Sequence, residues 1–285
     1  MTNASIYRDI AARTGGDIYI GIVGPVRTGK STFIKQFMDK LVLPNISGDY
    51  QKERANDELP QSSSGRTIMT TEPKFIPEKG VQINIDDSAS MNVRLIDCVG
   101  YIVPSALGYI EGDQPRMVMT PWFDEPVPFN MAAEIGTRKV INEHSTIGLV
   151  ITTDGSISDI PRSEYEEAEE RVIDELKAIN KPFVILLNCM YPETEEAAAT
   201  AARLTEKYGI PVQPVNCLEL TEDDIKGIIS RVLFEFPIKE ICINFPRWIN
   251  SLPLDHWLRN DLITSIKESA SGLCHIRDIY RFETA

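Results

Sequence analysis

Eight residues constrain this chain more than any other feature. Gly24-Pro25-Val26-Arg27-Thr28-Gly29-Lys30-Ser31 satisfies G-x-x-x-x-G-K-[ST], and it lies between an aliphatic run, Ile18 to Val23, and a helical pattern, Thr32 to Lys40. Strand, glycine turn and helix in that order form a phosphate cradle, because successive backbone N–H groups and the positive end of the helix dipole converge on one point. Lys30 then reaches the β- and γ-phosphates and the Ser31 hydroxyl binds magnesium. Gly24, Arg27, Thr28, Gly29, Lys30, Ser31 and Thr32 are the candidate nucleotide contacts.

The rest of the sequence supplies a sheet for that loop. Short β-branched or aliphatic runs at Ile18 to Val23, Val81 to Ile85, Val93 to Ile96, Ile147 to Thr152, Phe183 to Leu187 and Val212 to Val215 alternate with helical patterns. The fold class is α/β, a three-layer domain with a mainly parallel sheet. Between Val81–Ile85 and Val93–Ile96 only Asp86 to Ser90 and two residues more intervene, too few for a crossover helix, so that pair is an antiparallel hairpin. One antiparallel strand beside the phosphate loop is the arrangement of GTPase-like P-loop domains and argues against most P-loop kinases. Ser163 with Glu166, and Thr221 with Asp224, mark two helix starts.

Charge narrows the partners. Lysine and arginine number 29 against 42 acidic residues, a net charge of −13, which disfavours a surface built to neutralise nucleic-acid phosphates. No stretch approaches the ~20 apolar residues of a membrane-spanning helix, and the N-terminus lacks the pattern of a signal peptide, so a cytoplasmic location is expected. Five scattered cysteines without a C-x-x-C argue for reduced, mostly buried thiols, and three dispersed histidines give no metal site. The acidic run Glu164, Glu166, Glu167, Glu169 and Glu170 reads as a solvated helix with carboxylates at the positive end of its dipole.

A magnesium-dependent phosphate site needs an acid at the end of a neighbouring strand, and Asp97 ends Val93 to Ile96. It opens Asp97-Cys98-Val99-Gly100, a D-x-x-G whose Gly100 N–H is placed to sense a γ-phosphate. Upstream, Gly65 to Pro73 holds the place of a first switch segment, with Thr70 or Thr71 as the residue that meets magnesium and the γ-phosphate.

At the base end the pattern departs from that of a GTPase. After Phe183 to Leu187, N-K-x-D is replaced by Asn188-Cys189-Met190-Tyr191, which removes the aspartate that pairs with guanine. ATP becomes the expected nucleotide, with Asn188 holding the loop together and the Cys217 N–H placed near the base. Tyr101 stands where many GTPases carry a water-orienting glutamine, so turnover should be slow; Arg27, Arg66, Thr70 and Thr71 are candidate substitutes. Tyr101 to His144, with Trp122, Phe123 and Phe129 among its prolines, reads either as an ordered docking loop or as aromatics packed on the domain. Near Phe236-Pro237 the alternation of strand and helix ends, giving an expected domain at 1–237 and the beginning of a second, truncated one at 238–285.

Ser5 to Lys40, TIMTTEPKFIP, LIDCVGY, TTDGSI and INFPRWINSLPLDHWL together resemble the stage IV sporulation protein A family of spore-forming bacteria, over essentially the whole chain. That family looks like a branch of the translation-factor-related P-loop GTPases that switched to ATP. The resemblance implies a morphogenetic ATPase that polymerises on the forespore outer membrane, in the mother-cell cytoplasm, into the basement layer of the spore coat. Its implied partners are further copies of itself, other coat proteins and a small amphipathic membrane-bound sporulation peptide, the membrane being reached indirectly. Lys30, Asp97 and the Thr70-Thr71 pair match the family's phosphate-loop lysine, magnesium-site aspartate and sensor threonines. The family's members are considerably longer than this chain. Two other readings stand beside it: a nucleotide-stabilised scaffold that needs no turnover, and a regulatory GTPase.

Overall fold

A computed structural model describes residues 14, 16–46, 48–60, 72–86, 89–112 and 114–283. The chain divides into two compact units, Met1–Val232 and Leu233–Ala285. In the first, six strands form one sheet: β1 (Asp17–Val23), β2 (Lys74–Asp86), β3 (Ala89–Asp97), β4 (Ile147–Thr153), β5 (Phe183–Asn188) and β6 (Val212–Val215). Their spatial order is β6-β5-β4-β1-β3-β2. Every neighbouring pair is parallel except β2 and β3, which form the antiparallel hairpin expected from their short connection. β1 therefore sits mid-sheet, between β3 and β4, with the glycine turn at its carboxyl end.

Central strands must be apolar on both faces when helices cover both sides of the sheet. Every residue of β4 and of β5 is buried, as are the last four of β1. On one side α1 (Lys30–Phe37) buries Phe33, Ile34 and Phe37. The helix continues past Phe37 as a π-helical turn, Met38–Val42. A further cluster joins Val23, Ile96, Val150 and Ile185 of the strands to Val172, Ile173 and Leu176 of a later helix. That helix is α4 (Glu166–Ala178) once α2 (Asp49–Asp57) and α3 (Phe129–Lys139) are counted, and α5 (Glu195–Tyr208) and α6 (Glu222–Phe234) follow.

Thr221 and Asp224 cap α6 reciprocally: the Asp224 N–H donates to Thr221 Oγ1 and the Thr221 N–H to Asp224 Oδ2. The start expected at Ser163 is displaced. Arg162–Glu164 instead forms a 3₁₀ turn, and α4 begins at Glu166 behind Tyr165 without a side-chain cap. Tyr165 is fully buried with its hydroxyl on Ser158, so packing of that ring sets the entry of the helix where a polar cap was expected.

The acidic helix also differs in one residue. Glu169 is wholly buried, accepts from Tyr208 Oη at 2.8 Å and pairs with Arg162 at 2.6 Å, with the Thr152 hydroxyl as a further donor. A carboxylate in that position is tolerable because each oxygen is matched. The network clamps Arg162 to the end of β4, while Glu166, Glu167 and Glu170 stay exposed as expected.

Within Tyr101 to His144 the chain forms short ladders and then α3, an element the sequence pattern did not reveal. Phe129 is completely buried and Trp122 and Phe123 are half-buried; Trp122 lies against Gly136 of α3, so these aromatics pack on the domain. The second unit carries α7 (Arg247–Asn250), α8 (Trp257–Ala270) and α9 (Ile276–Glu283). Its buried Glu235 pairs with Arg277 at 2.8 Å, and the Ile238 N–H donates to Cys274 O. No helix among the described residues is long and apolar enough to cross a membrane.

Candidate active site

The phosphate-loop turn is built by backbone geometry at the end of β1. Gly24 has φ 136°, Arg27 φ 63° and Gly29 φ 96°, so the chain takes positive φ three times before α1 starts at Lys30. At Gly29 the absence of a side chain is obligatory, since a Cβ there would stand 2.2 Å from Asn188 Nδ2. The Thr28 hydroxyl donates to Pro25 O at 3.0 Å and closes the turn. Arg27, Ser31 and Thr32 are half-buried at its mouth, while Gly24, Thr28 and Lys30 are buried.

Lys30 folds back on its own loop, donating to Pro25 O at 2.6 Å and Gly24 O at 3.3 Å. Burial holds its ammonium below the usual lysine range, and the nearby Cys98 and Asp97 oppose that shift. Asp97, at the carboxyl end of β3, is 8% exposed, and burial raises its carboxyl from an ordinary 3.8 to about 6 although Lys30 pulls the other way. Its Oδ1 has no hydrogen-bond partner among the described residues. A buried carboxylate oxygen left unmatched costs stability unless a ligand completes it. A hard, oxygen-seeking cation such as magnesium suits it, with the Ser31 hydroxyl as the second protein oxygen.

The D-x-x-G turn lies directly on the phosphate loop. A Cβ on Gly100, whose φ is 91°, would fall 2.2 Å from Gly24 O and 2.6 Å from Lys30 Nζ. Val26 N–H donates to Tyr101 O at 2.9 Å, tying the two turns together. The Gly100 N–H, expected at a γ-phosphate, is donated to Thr137 Oγ1 at 3.2 Å. Tyr101 is buried, with its hydroxyl donating to Glu175 at 2.5 Å and the Arg171 guanidinium 4.4 Å from the ring centroid. That side chain is committed to α4 and carries no free group for orienting water.

At the base end Asn188 joins three segments. Its Nδ2 donates to Thr28 O and its Oδ1 accepts the Cys217 N–H, both at 3.0 Å. The first bond ties the end of β5 to the phosphate loop. The second shows that the Cys217 N–H, expected at the base, is engaged by Asn188; the sequence marked the right position but could not show that a neighbour satisfies it. Cys189 and Cys217 are buried, and burial pushes both thiols up, to about 11 and about 12. Tyr191, in place of the guanine-binding aspartate, is 67% exposed. Met190 and Leu218 are also exposed beside it at the ends of β5 and β6. Thr70, Thr71 and Arg66 lie outside the described residues.

Sequence reasoning thus picked out Gly24 to Thr32, Asp97, Gly100 and Asn188, which the fold gathers at the carboxyl ends of β1, β3 and β5. It missed Thr137, which lies in a helix that the aromatic and proline-rich sequence masked.

Comparison with known families finds two matches along the chain. Residues 1–237 match the model described as stage IV sporulation protein A, ATPase domain, and residues 238–285 the model for the middle domain of the same family. Among curated proteins, the stage IV sporulation protein A of Clostridioides difficile is 54% identical over 277 residues, covering 97% of this chain and 56% of that protein. The protein of that name in Bacillus subtilis is 53% identical over 281 residues, covering 99% of this chain and 57% of its own length. The chain therefore spans little more than half the length of these relatives.

Proposed function

Since the chain belongs to the stage IV sporulation protein A family and carries its ATPase domain, we propose that Gly24 to Thr32 bind ATP, that Ser31 and Asp97 hold its magnesium, and that slow hydrolysis drives self-assembly. The observation that carries the site is the meeting of two turns: Gly100 packs on Gly24 O and Lys30 Nζ, with the unmatched Asp97 Oδ1 one strand-end away. Held by Ser31 and Asp97, a magnesium ion would neutralise charge on the phosphate oxygens and on the departing ADP.

The chain's own groups supply the rest. Backbone N–H groups of the turn orient the phosphates, and Lys30 exchanges Pro25 O and Gly24 O for phosphate oxygens. Thr70 or Thr71 completes the γ-phosphate contact. ATP is the nucleotide because Tyr191 offers no paired acceptor to guanine, while Asn188 keeps the phosphate loop and the β6 loop joined without reading the base. Turnover is slow because Tyr101 is tied to Glu175 and cannot orient water.

The product of turnover in this reading is a polymer of the protein, the basement layer of the spore coat, formed in the mother cell at the outer forespore surface. It is held there through a small amphipathic membrane-bound peptide and joined by other coat proteins. Sedimentation of the protein with ATP and with a non-hydrolysable analogue tests the coupling. Pelleting with ATP alone supports it; equal pelleting with both supports a nucleotide-stabilised scaffold, which the commitment of Tyr101 to Glu175 favours as the second reading.

A further inference from the structure

Two donors of this site that phosphate would claim are already engaged by the protein. Lys30 is on two loop carbonyls, and the Gly100 N–H is on Thr137. The lysine bonds are renewed with any phosphate, whereas Gly100 belongs to the turn that senses only the third. Thr137 is wholly buried in α3, accepts from Gly100 N and donates its own proton to Ala133 O at 2.8 Å. Gly100 is buried too, so without that acceptor its N–H is left with the weakly accepting Cys98 thiol and little water.

We propose that Thr137 sets the discrimination between nucleoside triphosphate and diphosphate, by holding the Gly100 N–H in the resting state so that the γ-phosphate must displace its hydroxyl. This rests on the nucleotide reading given above. Thr137 is a positioning residue: it acts on the γ-phosphate only through Gly100. Its hydroxyl stabilises the state without a γ-phosphate and therefore weakens triphosphate binding, leaving diphosphate binding unchanged. Removing the hydroxyl acceptor leaves Gly100 N–H with only the weak Cys98 thiol until a γ-phosphate arrives, and so favours the triphosphate.

The test is the ratio of dissociation constants for ADP and a non-hydrolysable ATP analogue, measured by calorimetry with magnesium. Thr137→Val keeps the shape and removes the acceptor; Thr137→Ser restores it. In Thr137→Val the preference for the triphosphate should rise about three- to tenfold, the weight of one backbone hydrogen bond. Thr137→Ser should keep the wild-type ratio. An unchanged or lowered ratio in the valine variant, with both nucleotides still bound, overturns the proposal.

A wild type that binds neither nucleotide overturns the nucleotide reading itself, and this proposal with it. Should the valine variant fail to fold, the wild-type Gly100 amide resonance decides. It should shift with the ATP analogue and stay near its ligand-free position with ADP, and an identical response to both would contradict the inference.

Discussion

The phosphate end and the base end of the sheet edge differ in what holds them. At the carboxyl end of β1 recognition is written in backbone: Gly29 and Arg27 in left-handed conformation, Gly100 against Gly24 O, and Lys30 held on loop carbonyls. At the ends of β5 and β6 the backbone frame persists through Asn188, yet the side chains that read guanine are replaced by Cys189 and Tyr191. Backbone recognition tolerates few substitutions because a Cβ closes it, whereas an edge-reading side chain can be exchanged without disturbing the frame. A fold can therefore keep its phosphate chemistry while changing its base.

The sharpest break of that contrast is Lys30→Ala, which should lower ATP turnover on the order of a hundredfold or more in a steady-state assay and leave the fold intact. Wild-type turnover in the variant would remove the phosphate end from the account.

Asp97→Asn separates function from stability at the same end. Turnover should fall at least about tenfold, while the nucleotide-free protein gains about 1–3 kcal/mol at pH 7.5, read as a higher Tm. The sign follows from a folded-state value near 6 above the ordinary 3.8: the folded protein holds the extra proton between them, and stability is lost as pH rises through that window. The gain of the asparagine variant should thus shrink toward pH 4. An equal gain at both pH values would contradict the cause.

Asn188→Ala cuts both bonds of the frame and should cost about 1–3 kcal/mol of stability while weakening ATP and GTP together. Selective loss of one nucleotide would mean that Asn188 reads the base. The smallest effect is expected from Tyr191→Asp, which restores the paired carboxylate acceptor without the lysine absent at Cys189; GTP affinity should rise about three- to tenfold and ATP affinity hold. Unchanged competition by GTP would place the base elsewhere.

The strands, the hairpin and the phosphate loop were legible because periodicity, a short connection and a glycine pattern each have one local cause. Asp97 was legible for the same reason, as the polar end of an apolar strand. What stayed hidden depends on distant partners. The burial of Glu169 needs Arg162 and Tyr208, the start of α4 needs the burial of Tyr165, and the engagement of Gly100 needs α3. Helix α3 buries Phe129, Ala132, Ala133 and Gly136 at helical spacing, but mostly small residues line that face, and the prolines before it drew the sequence toward a loop.

The most direct test of the account is binding and steady-state hydrolysis of ATP and GTP, with magnesium, by this chain and its Lys30→Ala variant. Preferential ATP turnover that disappears in the variant is the predicted result; preference for GTP, or turnover that survives the loss of Lys30, would contradict it.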